Sequence, residues 1–267
     1  MFETKKKRRE RLMRTPLFSK WLAIVERNIP YYRVLPPKDR LELQGLIQVF
    51  LAEKHFEGCE GLKITDEIRL TIAAQACILL LRRKTNVYPA LVSILVYPHT
   101  YVASMRRHEP GGIVSEGMKT LAGQTWDKGS LVLSWDNVVR GAWDMHDGHN
   151  VVFHEFAHQL DNEAGVADGA PLLPDPSMYV AWARILGKEY AALVDSIEHN
   201  RPTLIDSYGA TNPAEFFAVA TEFFFERPVQ LKEHHPQLYA ELRSFYIQDP
   251  ASLVISAQED GATSVFE

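Results

Sequence analysis

The sequence predicts an α+β fold, predominantly helical, with a small mixed β-sheet beside one buried helix. Three observations carry that expectation. Segments such as 39–56 and 213–226 repeat apolar residues at helical spacing. Two short runs, 91–97 (Leu-Val-Ser-Ile-Leu-Val-Tyr) and Leu131 to Trp135, have the character of strands. Residues 151–160 are apolar around most of a helical circumference, through Val151, Val152, Phe153, Phe156, Ala157 and Leu160, so that helix is internal.

In chain order, the first feature is the basic cluster Lys5-Lys6-Lys7-Arg8-Arg9 with Arg11, expected as a solvated arm or a first helical turn within residues 1–15. No aromatic residue interleaves it, so a stacking platform for single strands is absent. Residues 16–29 and 39–56 have helical periodicity, and 66–83 reads as a buried helix ended ahead of Asn86 and Pro89. Pro98 closes the strand at 91–97. The polar, Gly-containing stretch 106–129 has room for short strands, and 131–135 is the next strand. Residues 123–135 are expected to include a sheet edge open to an extended substrate, with Gly123 and Gly129 admitting close backbone approach. Asn150 can cap the buried helix, and Gly165 stands where a left-handed residue would end it. Residues 172–176 read as a loop; helices follow at 177–199, 213–226 and 229–247, then a flexible tail from about 250. The chain, 1–267, is read as one domain.

Bulk properties exclude several classes. The net charge of −5 gives no general attraction to nucleic acid. Cys59 and Cys77 are too few for a disulfide framework. The longest apolar run, Leu70 to Leu81, is too short to span a bilayer and is interrupted by Gln75, and no secretion signal is visible. A cytoplasmic location without membrane or direct nucleic-acid partners is expected.

The chemistry is concentrated in His154-Glu155-Phe156-Ala157-His158, of the form H-E-x-x-H. Histidines four apart on a helix stand one above the other, so both imidazoles can reach one zinc ion. Glu155, on an adjoining face, can take a proton from a water at that ion. Buried histidines and a buried glutamate also require partners, and a divalent cation is one. Asp161 and Ala164 stand where the metzincin extension requires Gly and His, which excludes that class. Among nearby carboxylates, Asp161, Glu163 and Asp168 are candidates; Asp161 is better placed to orient a ligand histidine than to replace one. The stronger third ligand is Glu215, on a Phe- and Ala-rich helix starting at Asn212-Pro213. The alternative for Glu215 is a capping box with Asn212. Glu222, two turns along the same face, suits either support of the metal site or an ordinary salt bridge.

Two blocks, His154-Glu155-Phe156-Ala157-His158-Gln159-Leu160-Asp161 and Tyr208 with Asn212-Pro213-Ala214-Glu215-Phe216-Phe217-Ala218, resemble the Mlc titration factor A family of bacterial zinc metallopeptidases. The looser likeness extends over most of the chain, including Gly129 to Trp135. The Tyr-x6-Glu spacing also resembles, more distantly, the catalytic domain of anthrax lethal factor. The resemblance implies a zincin-like fold, one zinc ion on His154, His158 and Glu215, Glu155 as general base and Tyr208 as transition-state stabiliser. The bland alternative for Tyr208 is a packing residue in the turn before the helix. The resemblance further implies aminopeptidase-like action on peptide or protein substrates, and binding of the transcriptional repressor Mlc, which affects glucose phosphotransferase expression. In the lethal-factor pattern a second glutamate follows the ligand glutamate by four; here that position is Val219, which shifts supporting roles to Asp161 or Glu222. A non-catalytic protein that sequesters a transcription factor, with zinc as a structural or switching element, is the competing reading. The intact Glu155 favours chemistry, and a carboxylate ligand disfavours a structural zinc site.

Overall fold

In the computed structural model, residues 3–84, 86–109, 113–121, 123–126 and 129–259 are described. The chain opens with α1 (Lys5–Met13), α2 (Ser19–Asn28), α3 (Pro30–Val34) and α4 (Pro37–Glu53), then β1 (His55–Gly58) and α5 (Asp66–Ile78). Strands β2 (Ser93–Tyr97), β3 (Tyr101–Glu109), β4 (Ile113–Leu121), β5 (Gly123–Trp126) and β6 (Ser130–Ser134) follow. The remainder is helical: α6 (Trp135–Trp143), α7 (Val151–Asp161), α8 (Met178–Glu198), α9 (Pro213–Glu226), α10 (Pro228–His234), α11 (Pro236–Tyr246) and α12 (Pro250–Glu259). Short 3₁₀ turns occupy Asn162–Ala164 and Ser207–Ala210.

The architecture is the expected helical α+β fold with a small mixed sheet. Its strand order is β1-β2-β6-β5, with β1, β2 and β6 parallel and β5 antiparallel at the edge. β3 and β4 form a separate antiparallel pair, longer than the short strands expected of 106–129. The expected edge at 123–135 includes β5; residues 127–128 of that segment lie outside the described residues.

α7 packs against β5, β6, α5 and α6 on one side and α9 on another. Phe156 is fully buried, its ring centroid 5.7 Å from Phe50 and 4.7 Å from Tyr88. Phe153 meets Phe225 of α9 at 5.2 Å, which joins the two helices through apolar contact. Caps read from the sequence are present. The Asn150 side chain accepts from the Val152 and Phe153 amides, and Gly165 adopts φ +91° after the 3₁₀ turn.

Several boundaries differ from the expectations, each for a local reason. α4 stops at Glu53 because β1 joins the sheet, with His55 N–H bonded to Val92 O at 2.9 Å. α5 ends at Ile78, and Arg82 then takes a left-handed φ of +63°. Trp135 starts α6 rather than ending a strand, since Val138, Gly141 and Ala142 face inward at helical spacing. The helix expected over 229–247 divides before Pro236, which lacks an N–H and keeps His235 out of helical backbone, at φ −131° and ψ 58°. The basic arm forms α1, whose Arg9 donates to both Glu53 carboxylate oxygens. A Cβ on Gly45 of α4 would meet Met13 O at 2.5 Å, so glycine there permits the close approach of α1. Residues 250–259 form α12 in place of a flexible tail: Ala251 is buried and its N–H donates to Tyr239 Oη at 3.0 Å. Residues 260–267 lie outside the described residues.

Candidate metal centre

α7, the start of α9 and the 3₁₀ turn at 207–210 supply the site. His154 and His158 project from one face of α7, ring centroids 4.9 Å apart. Asn212 caps α9 by accepting the Glu215 amide at 3.0 Å, and Pro213 occupies its first turn. The Glu215 side chain takes no part in a capping box. Its Oε2 lies 3.0 Å from His154 Nε2 and 3.2 Å from His158 Nε2, and its Oε1 accepts from Tyr208 Oη at 3.3 Å. The two distant segments therefore converge through these three side chains.

The donor set fits a zinc ion. Two imidazole nitrogens and a carboxylate oxygen are ordinary zinc ligands, and all three lie within 4.8 Å of one another. Ligands about 2.1 Å from a tetrahedral ion stand about 3.4 Å apart, close to the two carboxylate–imidazole separations of 3.0 and 3.2 Å. His154 Nδ1 faces Glu222 Oε1 at 2.7 Å. A proton kept on Nδ1 by Glu222 would leave the Nε2 lone pair free to ligate an ion. Glu222 Oε2 in turn accepts the Asn150 amide at 2.5 Å. The helix cap and the carboxylate behind His154 are thus one network.

Charge explains the local acid–base behaviour. Burial disfavours the His154 imidazolium, but Glu222 and Glu215 overcome this and hold its pKa well above the ordinary value. Burial pushes Glu215 up, yet hydrogen bonds from both histidines draw its carboxyl below the usual carboxylate range. Glu155 is buried, and that burial raises its carboxyl pKa. Burial, then the Glu215 carboxylate, pushes the Tyr208 phenol to about 12, so it keeps its donor proton at neutral pH.

Asp161 does not hydrogen-bond a histidine. Its Oδ2 accepts the Gly169 amide at 2.8 Å, so its direct contact is with the loop after α7. A Cβ on Gly169 would meet Pro213 O at 2.5 Å, and Trp182 Nε1 donates to Gly169 O; that loop is pressed against the start of α9. Val219, which stands where the lethal-factor pattern has a second glutamate, is buried apolar packing, whereas Glu222 touches His154. Asn150 as a backbone donor to Glu222 was missed at the sequence level, because a cap signal says nothing about its N–H partner.

A family model described as glucose-regulated metallo-peptidase M90 matches residues 3–247. The chain belongs to this family. Membership implies a metal, and His154, His158 and Glu215 are its candidate holders. The chain is 45% identical over 247 residues to the uncharacterized protein slr2042 of Synechocystis, covering 91% of this chain and 89% of that protein. It is 32% identical over 243 residues to Mlc titration factor A of Pectobacterium atrosepticum, covering 90% of each. Mlc titration factor A of Serratia proteamaculans is also 32% identical, over 238 residues, covering 87% of this chain and 90% of the relative. No helix among the described residues is long and apolar enough to cross a membrane.

Proposed function

We propose that this chain is a zinc-dependent peptidase that hydrolyses peptide bonds with an activated water. The observation that carries the reading is the approach of the His154 and His158 Nε2 atoms to one oxygen of Glu215, with Glu155 buried between the histidines in sequence. His154, His158 and Glu215 would hold one zinc ion. A zinc ion supplies Lewis-acid polarisation and lowers the pKa of water to about 7. Glu155 takes the water's proton and returns it to the leaving amine; the upward shift produced by its burial moves its basicity toward neutral pH. The Tyr208 phenol, protonated and half-exposed at the site, donates to the developing oxyanion. Glu222 fixes the His154 tautomer from behind. β5, the antiparallel edge strand beside α7, would pair with an extended substrate.

Aminopeptidase-like action and a cytoplasmic location complete this reading. The names of the relatives favour a second one: proteins called Mlc titration factor A are similar over most of the chain, and we extend to this chain the binding of an Mlc-type repressor. Peptidase action and repressor capture are compatible.

Metal analysis with a peptide-library digest, with and without chelator, tests the first reading. Glu155→Gln is expected to keep zinc and lose about 10²–10⁴-fold in turnover. Full activity in that variant, or cleavage indifferent to chelation, would overturn the assignment. Co-purification of Mlc with the Glu155→Gln protein tests the second reading independently of hydrolysis.

A further inference from the structure

Three turns beyond Glu215 on α9, Glu226 is only 4% exposed. It lines a small internal cavity with Tyr31, Gln75, Met145 and Asn150 that barely admits one water molecule. Neither Glu226 carboxylate oxygen has a hydrogen-bond partner among the described residues. Asp147, on the loop leading into α7, lies within hydrogen-bonding reach of it, and Asp147 Oδ2 is also buried without a donor. The loop packs against α9, since a Cβ on Gly148 would strike the Phe223 ring at 2.8 Å, and Asp147 Oδ1 accepts the His149 amide at 2.8 Å within the loop.

Two ionised carboxylates in this setting present acceptors to acceptors, and burial makes that costly. The other groups facing them do not solve it: the Asn150 side-chain amide faces Glu226 but gives its hydrogens to Gln75 Oε1 at 2.9 Å and Gly141 O at 2.8 Å. Glu222 adds like charge from α9. Arg140 of α6 is mostly exposed, with Nε 3.9 Å from Asp147 Oδ2. Tyr31 of α3 lines the cavity, but its hydroxyl lies in the field of Tyr239, Arg82, Asp39 and Asp249, and Gln75 of α5 is engaged by Asn150. A bridging cation would want six to eight oxygens, more than this cavity offers. One proton suffices, because a protonated carboxyl is a donor.

We propose that Glu226 is a neutral acid that donates its proton to Asp147, and that this bond is a positioning device for His154. Burial raises the Glu226 carboxyl well above its ordinary value; Asn150 opposes this, while Glu222 and Asp147 reinforce it. The bond fastens the loop that delivers Asn150. Asn150 caps α7 and gives its N–H to Glu222, which holds His154 Nδ1. The positioning role rests on the metallopeptidase reading; the proton on Glu226 does not.

The test compares zinc-free wild type with Glu226→Gln, whose amide can donate to Asp147 without titrating. At neutral pH an infrared carboxylic-acid band present in wild type is expected to vanish in Glu226→Gln. The thermal midpoint of wild type is expected to fall relative to Glu226→Gln by at least about 3 °C as pH rises above about 4.3. Glu226→Gln should fold and bind zinc as wild type does, whereas Glu226→Ala should bind zinc roughly tenfold more weakly. No band assignable to Glu226, or a Glu226→Gln protein that does not fold, overturns the neutral acid. Unchanged zinc affinity in Glu226→Ala overturns the positioning role. Absence of hydrolysis in every form would count against the peptidase reading alone, because the band and the midpoint need neither metal nor substrate.

Discussion

Glu215 and Glu226 are the same residue type near opposite ends of one helix, yet their surroundings drive them apart. At the start of α9, burial of Glu215 is outweighed by two imidazole donors, and the carboxyl is held low. At the end, Glu226 is more deeply enclosed, its nearest neighbours include carboxylates, and its carboxyl is held high. Burial acts in the same direction at both; the supply of donors decides the sign. The front of α9 therefore suits a cation and the back suits a proton. Glu222 lies between them, facing His154 on one oxygen and the Asn150 amide on the other.

Removing the front carboxylate should have the largest effect. On the proposed zinc reading, Glu215→Ala is expected to weaken zinc binding by far more than the 10–100-fold typical of supporting partners, because it removes a proposed ligand. Zinc titration against a competing chelator measures this, and an unchanged affinity would remove Glu215 from the ligand set. Tyr208→Phe should separate chemistry from metal at the same end. Loss of one oxyanion donor predicts about 10²–10³-fold lower turnover with zinc content unchanged. A large zinc loss instead would make Tyr208 a brace for Glu215, to which it donates at 3.3 Å. Glu222→Ala should fall below both, costing about 10–100-fold in zinc affinity by freeing the His154 ring.

Much of the front was legible from residue types and spacing. The pair His154 and His158, the cap at Asn150 and the proline-started helix carrying Glu215 each follow from local rules. The spacing also left Glu215 two roles, capping or ligation; in the fold its side chain turns to α7 while Asn212 alone serves the cap. The back was not legible. Glu226 lies four residues after Glu222, at helical spacing, but a carboxylate on a helix signals nothing about which loop will cover it. Asp161 shows the converse: correct spacing from His158, but a hydrogen bond to the Gly169 amide in its place. α6 and β1 were hidden for smaller reasons, a Trp that favours strands and a strand of four residues.

The smallest effect, the pH dependence of the zinc-free protein, sharpens the comparison most. His154 has a folded pKa raised above the ordinary imidazole value near 6.5, so its contribution is fully present below that pH and is lost as pH rises through the folded value. Glu226 is likewise raised, so its contribution is present below about 4.3 and is also lost as pH rises. Glu215 has the opposite sign: its contribution is present above the ordinary glutamate value and is lost as pH falls through its depressed one. The thermal midpoint of zinc-free protein should therefore decline toward alkaline pH from both ends of α9. The two contributions are separable. Zinc binding requires unprotonated Nε2 atoms, so zinc strengthens its grip as pH rises and reverses the slope from the front. Glu226→Gln removes only the slope from the back. A midpoint that is flat with pH in the zinc-free wild type would mean that neither end carries the charge state assigned to it.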